Sequence, residues 1–416
     1  MFRKTLVLAV AVAMAATGQT ALASGANAAS STATVYTGIE GYPVKQLPGA
    51  CNGAQQPGAL YLRDLLLANV GGTNLGIYNC GESFSYHREG RAFDWGMNAG
   101  NATQAARVNE VLTWLLSTDE RGNTHANARR LGIGEIIWNR RIIALWSTSS
   151  KTWQSYSGTS PHTDHVHFSF SWPGALKQTS FHRSRNSTPL FALSDSLTSS
   201  VNTMPQFYYG FGASEVITGD WDGYLGDGIG LYDPISWKFY LRNAPTAGGN
   251  ADIVISMGVW GDKPIAGDWD GDGRDDIGVY RPTNQTFYFH MLDGDPAPAP
   301  IWYGNPGDLP IVGDWNGDGR DEIGVYRPSN ITFYKITGGA VPFGNAGDIP
   351  IVGDWNGDRI AEIGVYRPST STFWFLKVSD TRPETVVSQR YGDPGAIPVI
   401  GDFNGNGQDT QGVIFL

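Results

Sequence analysis

Cysteine is almost absent from this 416-residue chain, and the two that occur, Cys51 and Cys80, form no Cys-x-x-Cys pair. That excludes a cysteine-ligated zinc finger or cluster. In an oxidising compartment the two are read as one disulfide, tethering the start of the first domain to the segment around residue 87. Long apolar runs are missing too. The stretch from Thr5 to Gly18 is too short to span a bilayer and nothing later comes near the needed length, which excludes a membrane span. Positive charge is in deficit, with 29 Lys+Arg against 39 Asp+Glu and a net charge of −10. Such a surface excludes nucleic acid as a partner. Histidine is sparse, with seven in all, yet His87, His162, His165 and His167 fall in two short segments.

What is present divides the chain. Residues 1–28 carry Arg3 and Lys4, then an apolar run, then Ala21-Leu22-Ala23 and Ala26-Asn27-Ala28. This is the pattern of a cleaved signal peptide, so a secreted, extracellular protein is expected. Residues 31–183 have a net charge of +3, and residues 196–416 a net charge of −15. Two folded parts are expected, 31–183 and 205–416, joined by a Ser/Thr/Asn-rich linker at 184–204 with a short ordered patch at Leu190 to Leu193.

In the first part, Thr103 reads as a helix N-cap, and Val108, Val111, Leu112, Leu115 and Leu116 share one helical face. A shorter helix is expected near Tyr61 to Val70. Ile133 to Trp146 and His165 to Ser171 read as strands. Helices and strands without βαβ alternation predict an α+β domain.

His165, His167 and Ser169 alternate with Val166, Phe168 and Phe170. On a strand this puts both histidines on one face, about 6.6 Å apart. One can ligate a metal while the other lines the pocket. His87 and Asp94 are separated by Gly90 and Ala92, a spacing that allows a turn and a return strand. Together the segments form a candidate three-ligand zinc site, whose open fourth position suits hydrolysis. Arg63 could bind a substrate carboxylate bidentately, with a surface arginine on a short helix as the default reading. Trp138 and Asn139 could line a cleft, with core packing the default for Trp138.

The pattern Ser85-x-His87-x-x-Gly90-x-Ala92-x-Asp94, with the later His165-x-His167, resembles the hedgehog/D-Ala-D-Ala peptidase superfamily over about residues 35–182. That resemblance implies zinc bound by His87, Asp94 and His167, with His165 and His162 matching pocket histidines of the murein endopeptidase branch. One departure is plain. The carboxypeptidase branch carries a glutamate base three residues before its ligand histidine, and here that position is Asp164. Base work then falls to His165, His162 or Asp164, and Asp164 could instead orient a ligand.

Gly-Asp-Trp/Phe-Asp/Asn recurs at Gly219, Gly267, Gly313, Gly353 and Gly401. Periods of this size indicate propeller blades or solenoid units. Each unit continues with Ile-Gly-Val-Tyr-Arg-Pro or a relative, then an aromatic strand. This part reads as all-β, about four strands per unit. Oxygen ligands at alternate positions suggest calcium loops. The strong ones are Asp268, Asp270, Asp272, Asp276 and Asp314, Asn316, Asp318, Glu322. Asp354, Asn356, Asp358, Glu362 and Asp402, Asn404, Asn406 are more moderate, with Arg359 replacing a glycine in the former. The first copy keeps Asp220 and Asp222 but has Tyr224 and Gly228 further on. The units resemble FG-GAP/VCBS-type repeats, which implies a calcium-binding β-propeller, here of five blades.

The expectation is a secreted zinc metallopeptidase, a carboxypeptidase or endopeptidase acting on peptidoglycan or its peptides. The propeller would serve adhesion or substrate placement through carbohydrate or protein contacts. The alternative is a non-catalytic cell-wall or carbohydrate binding protein with a degenerate peptidase domain.

Overall fold

The computed structural model describes residues 39–415 apart from 52–53, 82–84, 120–121, 186, 213, 225, 248 and 380–381 and apart from the side chains of 377–385. The expected signal peptide lies outside the described residues. The chain is mostly β, with one six-stranded sheet, five four-stranded sheets and few helices. Among the described residues no helix is long and apolar enough to cross a membrane.

The first part holds α1 (Pro57–Asn69), β1 (Thr73–Gly76), β2 (Ala92–Gly96), α2 (Ala102–Leu116), α3 (Ala126–Leu131), β3 (Ile133–Trp138), β4 (Arg141–Ala144), β5 (Gln154–Ser155) and β6 (His165–Phe170). The sheet order is β1-β2-β6-β3-β4-β5. Pro57 opens α1, where a missing N–H costs nothing. The N-cap of α2 is Asn101, whose side chain accepts from the Gln104 N–H, and not Thr103. Asparagine is the stronger cap, and Thr103 falls inside the first turn. Val108, Val111, Leu112 and Leu115 are buried as expected, with Trp114 beside them. The run Ile133 to Trp146 is a hairpin rather than one strand. It turns at Asn139 and Arg140, both with positive φ (47° and 61°), as a two-residue hairpin loop requires.

One face of this sheet packs on the helices. Phe93, Trp95, Ile136, Val166, Phe168 and Phe170 join Leu62, Leu66, Val111 and Leu115 in a single core. The other face carries the polar residues of the candidate site. Cys51 and Cys80 are joined in a disulfide.

The five smaller sheets are antiparallel and follow the repeat. Four take their strands in order from 215–256, 263–302, 309–342 and 349–390. The fifth pairs Ile397–Gly401 and Thr410–Phe415 with two strands from far upstream, Leu190–Leu193 and Phe207–Tyr208. The patch within the expected linker is therefore a strand. The first strand of each sheet contacts that of the next, and Ile397–Gly401 contacts Glu215–Gly219 in turn. Backbone bonds follow the same order. Asp275, Asp321, Ala361, Asp409 and Asp227 donate their N–H groups to the carbonyls of Asp220, Asp268, Asp314, Asp354 and Asp402.

The Tyr-Arg-Pro motif has a structural cause. Arg281, Arg327 and Arg367 each hold a buried aspartate, Asp262, Asp308 and Asp348, through two hydrogen bonds of 2.8–2.9 Å. In the first repeat Asp233 stands where the arginine would be, and Arg185 at the end of the first part supplies the cation at 3.0 Å. Trp114 of α2 packs on Trp260 at 4.6 Å. These two contacts seat the first part on the first repeats.

Candidate metal centre

The local sequence builds a short 3-10 turn at Tyr86–Glu89. Ser85 caps it, its hydroxyl accepting from the His87 N–H. Gly90 ends it at φ 65°, where a Cβ would stand 1.8 Å from the Ala54 carbonyl oxygen. Arg91 is fully buried and bonds Glu89 and the carbonyls of Phe170 and Gln46, which fixes the entry into β2. Ser85, Gly90 and Arg91 are thus the frame, and His87 and Asp94 are what the frame presents.

β2 and β6 pair with Asp94 opposite His167, Ala92 opposite Ser169 and Gly96 opposite His165. His87, Asp94 and His167 converge, with one ligand atom from each lying within 4.8 Å of the others. His87 Nε2 is 3.2 Å from Asp94 Oδ2, and His167 Nδ1 is 2.7 Å from Asp94 Oδ1. The far nitrogens are anchored. His87 Nδ1 meets the Ile77 carbonyl at 3.0 Å, and His167 Nε2 meets the Ser169 hydroxyl at 2.8 Å. A carbonyl only accepts, so His87 Nδ1 carries a proton, and Nε2 is left to ligate once the proton it shares with Asp94 is displaced. His167 Nδ1 is likewise left to ligate once the proton it shares with Asp94 is displaced. Burial pushes the Asp94 carboxyl up, but hydrogen bonds from His167 and His87 outweigh it and hold it far below the usual carboxylate range. Two imidazole nitrogens and one carboxylate, each backed by a second partner, fit zinc.

The other predicted pocket residues sit beside this group. His165 Nε2 lies 3.8 Å from Asp94 Oδ1, and its Nδ1 is held at 2.8 Å by Asp164 Oδ1. The Asp164 side chain is 76% exposed. It therefore stands outside the pocket and orients His165. His162 is buried and adopts φ 50°, uncommon for a non-glycine residue and a mark of functional sites. The hairpin turn holds it there, the Asn139 N–H donating to its carbonyl at 2.7 Å. Its ring is 4.6 Å from His165 and 5.7 Å from His167. Its Nδ1 meets the Ser160 carbonyl at 2.8 Å. Burial pushes the imidazole down to about 4, so it is neutral at pH 7.

Two residues on this face were not singled out from the sequence, Ser169 and Glu135. A lone acid within the apolar run Ile-Gly-Glu-Ile-Ile-Trp was the available signal for the second. Arg63 bonds the neighbouring Asp64 on α1, and Trp138 is in the core.

Asp268, Asp270 and Asp272 gather as a possible cation cage, and Asp270 also gathers with Asp293 and Asp295. Burial pushes the nearby Asp276 up to about 7, with the charges of Asp270, Asp272 and Asp293 adding to it. These acids also accept loop N–H groups, Asp268 from Gly271 and Gly273, Asp270 from Asp272, and Asp272 from Arg274, and the acids of the next two loops have protein partners as well. Glu322 accepts from the Trp315 N–H and the Asn316 amide, and Glu362 from the Trp355 N–H and the Asn356 amide. Asp314, Asp354 and Asp402 each accept backbone N–H groups of their own loop. Asp318, Asp358, Asn404 and Asn406 likewise accept loop N–H groups.

Among known families, the one described as VldE, C-terminal domain, matches residues 51–167. The match runs from Cys51 to His167 and so takes in all three converging residues. Compared with curated proteins, the chain matches none. Among solved structures, one concerns specific recognition of non-reducing terminal N-acetylglucosamine by an Agrocybe aegerita lectin. It is 15% identical, with 55% of this chain and 71% of that chain covered and a TM-score of 0.31. The WD40 domain of Toxoplasma gondii coronin is 10% identical, with 52% and 60% covered and a TM-score of 0.25. Both are distant likenesses.

Proposed function

We propose that this protein is a secreted zinc-dependent amide hydrolase of the hedgehog/D-Ala-D-Ala peptidase type, acting on bacterial cell-wall peptide. The observation that carries the reading is the convergence of His87 Nε2, an Asp94 oxygen and His167 Nδ1, with two further imidazoles alongside. His87, Asp94 and His167 would hold the metal. Bound zinc supplies a water of lowered pKa and polarises a carbonyl. His165, held by Asp164, is the group positioned to take a proton and return it to a leaving amine. Nδ1–H of His162 is engaged with Ser160, so its Nε2 is an acceptor and suits a substrate N–H.

The test is zinc analysis of purified protein together with digestion of purified peptidoglycan. About one zinc per chain and release of wall peptides are expected, both lost in His87→Ala. A zinc-free protein, or unchanged hydrolysis in His87→Ala, overturns the reading.

For the second part, the reading is a five-bladed propeller of FG-GAP/VCBS type. The cyclic order of first-strand contacts and the fifth sheet built from both ends support it. Radial repetition of this kind leaves only short, protected sheet edges. Calcium is assigned first to Asp268, Asp270, Asp272 and Asp276. Calcium at a hundred times its dissociation constant would stabilise the fold by about 2.7 kcal/mol. No shift of melting temperature on chelation refutes the calcium reading.

A binding role is the second reading, and a notch between the 309–342 and 349–390 sheets favours it. The notch has a volume of about 510 Å³ and is lined by Phe343, Asn345, Arg367 and Trp374 among others. Retention of a His87→Ala variant on insoluble peptidoglycan, with no hydrolysis by the wild type, would favour this reading over the first.

A further inference from the structure

We propose that Glu135 is a positioning residue for the metal centre, acting on His167 through Ser169. The inference rests on the zinc reading of His87, Asp94 and His167.

Glu135 is the half-buried residue of a strand whose neighbours are otherwise buried. Strand parity alone would not put it on the site face. Ile133 pairs with Phe170 and faces the core, and Ile136 also faces the core, three residues on. An odd separation between two same-face residues requires an extra residue. The irregularity lies at Gly134, where β3 slips against β6 and Glu135 comes opposite Ser169. Bulges of this kind re-aim side chains beside functional sites. Only glycine fits there, since a Cβ would stand 2.0 Å from the Trp146 ring.

Paired residues of an antiparallel sheet point to the same side. Asp94, His167, Ser169 and Glu135 therefore share one face, and Asp94 and Glu135 are the acids on its strands. The order across that face matters. Asp94 lies on one flank of His167, bonded to Nδ1. Ser169 lies behind, bonded to Nε2, and is fully buried. Glu135 lies beyond Ser169, on the far side from Asp94. It is thus badly placed to reach a water on the metal and placed to receive the Ser169 hydroxyl proton across one water. Its charge acts on His167, and also on Tyr86 and Tyr156. A carboxylate behind a ligating imidazole fixes the ring and strengthens it as a donor. Here serine stands between the two.

The experiment is zinc affinity by competition with a chromophoric chelator, on full-length wild type, Glu135→Gln, Ser169→Ala and the double variant. The absorption of cobalt-loaded protein provides a second readout. Glu135→Gln keeps shape and removes charge. We expect 10–100-fold weaker zinc binding in each single variant, a shifted cobalt spectrum, and a double variant no weaker than the weaker single. Metal-free melting temperatures close to wild type would separate positioning from folding. Wild-type affinity in Glu135→Gln refutes the inference alone. Losses that multiply in the double variant refute the route through Ser169. A wild type that takes up no zinc refutes the metal reading beneath it.

Discussion

Replacing Asp321 by asparagine should raise the stability of the metal-free protein at pH 7.5 and leave it unchanged near pH 4. Asp227, Asp275, Asp321 and Asp409 occupy equivalent positions at the start of the second strand in four of the five repeats, and Ala361 takes the fifth. Each carboxylate accepts the backbone N–H that opens a neighbouring loop, at 2.7–3.0 Å. Burial pushes Asp321 up to about 7, with the charges of Asp268, Asp314 and Glu322 adding to it. Burial likewise raises Asp227 to about 7 and lifts Asp275 and Asp409 well above the carboxylate range. A raised folded-state value means that the native chain holds more protons than the unfolded chain between pH 4 and 7. Stability must then fall as pH rises through that window. A shift of about three units at roughly 1.4 kcal/mol each sets a ceiling of about 4 kcal/mol on what Asp321 loses by ionising. Asparagine keeps the acceptor and cannot ionise. A gain of about 2–4 kcal/mol at pH 7.5 corresponds to a rise of roughly 5–10 °C in melting temperature for a domain of this size. The assay is thermal unfolding in chelator across pH 4.5–8, wild type against Asp321→Asn. A variant equally destabilised at both ends of the range, or a wild type whose melting temperature does not fall between pH 5 and 7.5, would refute the reasoning.

Gly134→Ala forces a Cβ into the Trp146 ring. It should lose about 1–3 kcal/mol in denaturant unfolding. Asp308→Ala leaves Arg327 without its bidentate partner in a site where the aspartate side chain is 1% exposed and the arginine 21%. The expected loss is about 2–3 kcal/mol by the same measurement, below the value for a fully buried pair because the guanidinium reaches water. Ser85→Ala removes the cap of the turn that presents His87. About 1 kcal/mol of stability and a measurable weakening of zinc binding should go with it.

The metal group was legible because its constraints are local. His165-x-His167 needs only strand parity, and His87 with Asp94 needs only a turn that Gly90 can make. The repeats were legible for the same reason, since each carries its own turn residues. What escaped the sequence depends on distant partners. Leu190–Leu193 reads as a patch in a linker because the strand it pairs with, Thr410–Phe415, lies at the other end of the chain. Glu135 reads as an acid in an apolar run because the slip at Gly134 that turns it to the site face is set by register against β6. Asn101 and Thr103 are both capping residues, and only the path of the chain into α2 decides between them.

Asp164 stands where the sequence departs from the peptidase pattern it resembles, and the departure has a structural consequence. A glutamate at that place would reach the pocket with its own carboxylate. Aspartate is one methylene shorter, and residue 164 lies out of phase with the face that carries His165 and His167. Its side chain turns outward and spends its hydrogen bond on His165 Nδ1. That bond sets the orientation of the imidazole, whose Nε2 lies 3.8 Å from Asp94 Oδ1. On the proposed hydrolase reading, the proton-accepting group would then be an imidazole oriented by a carboxylate.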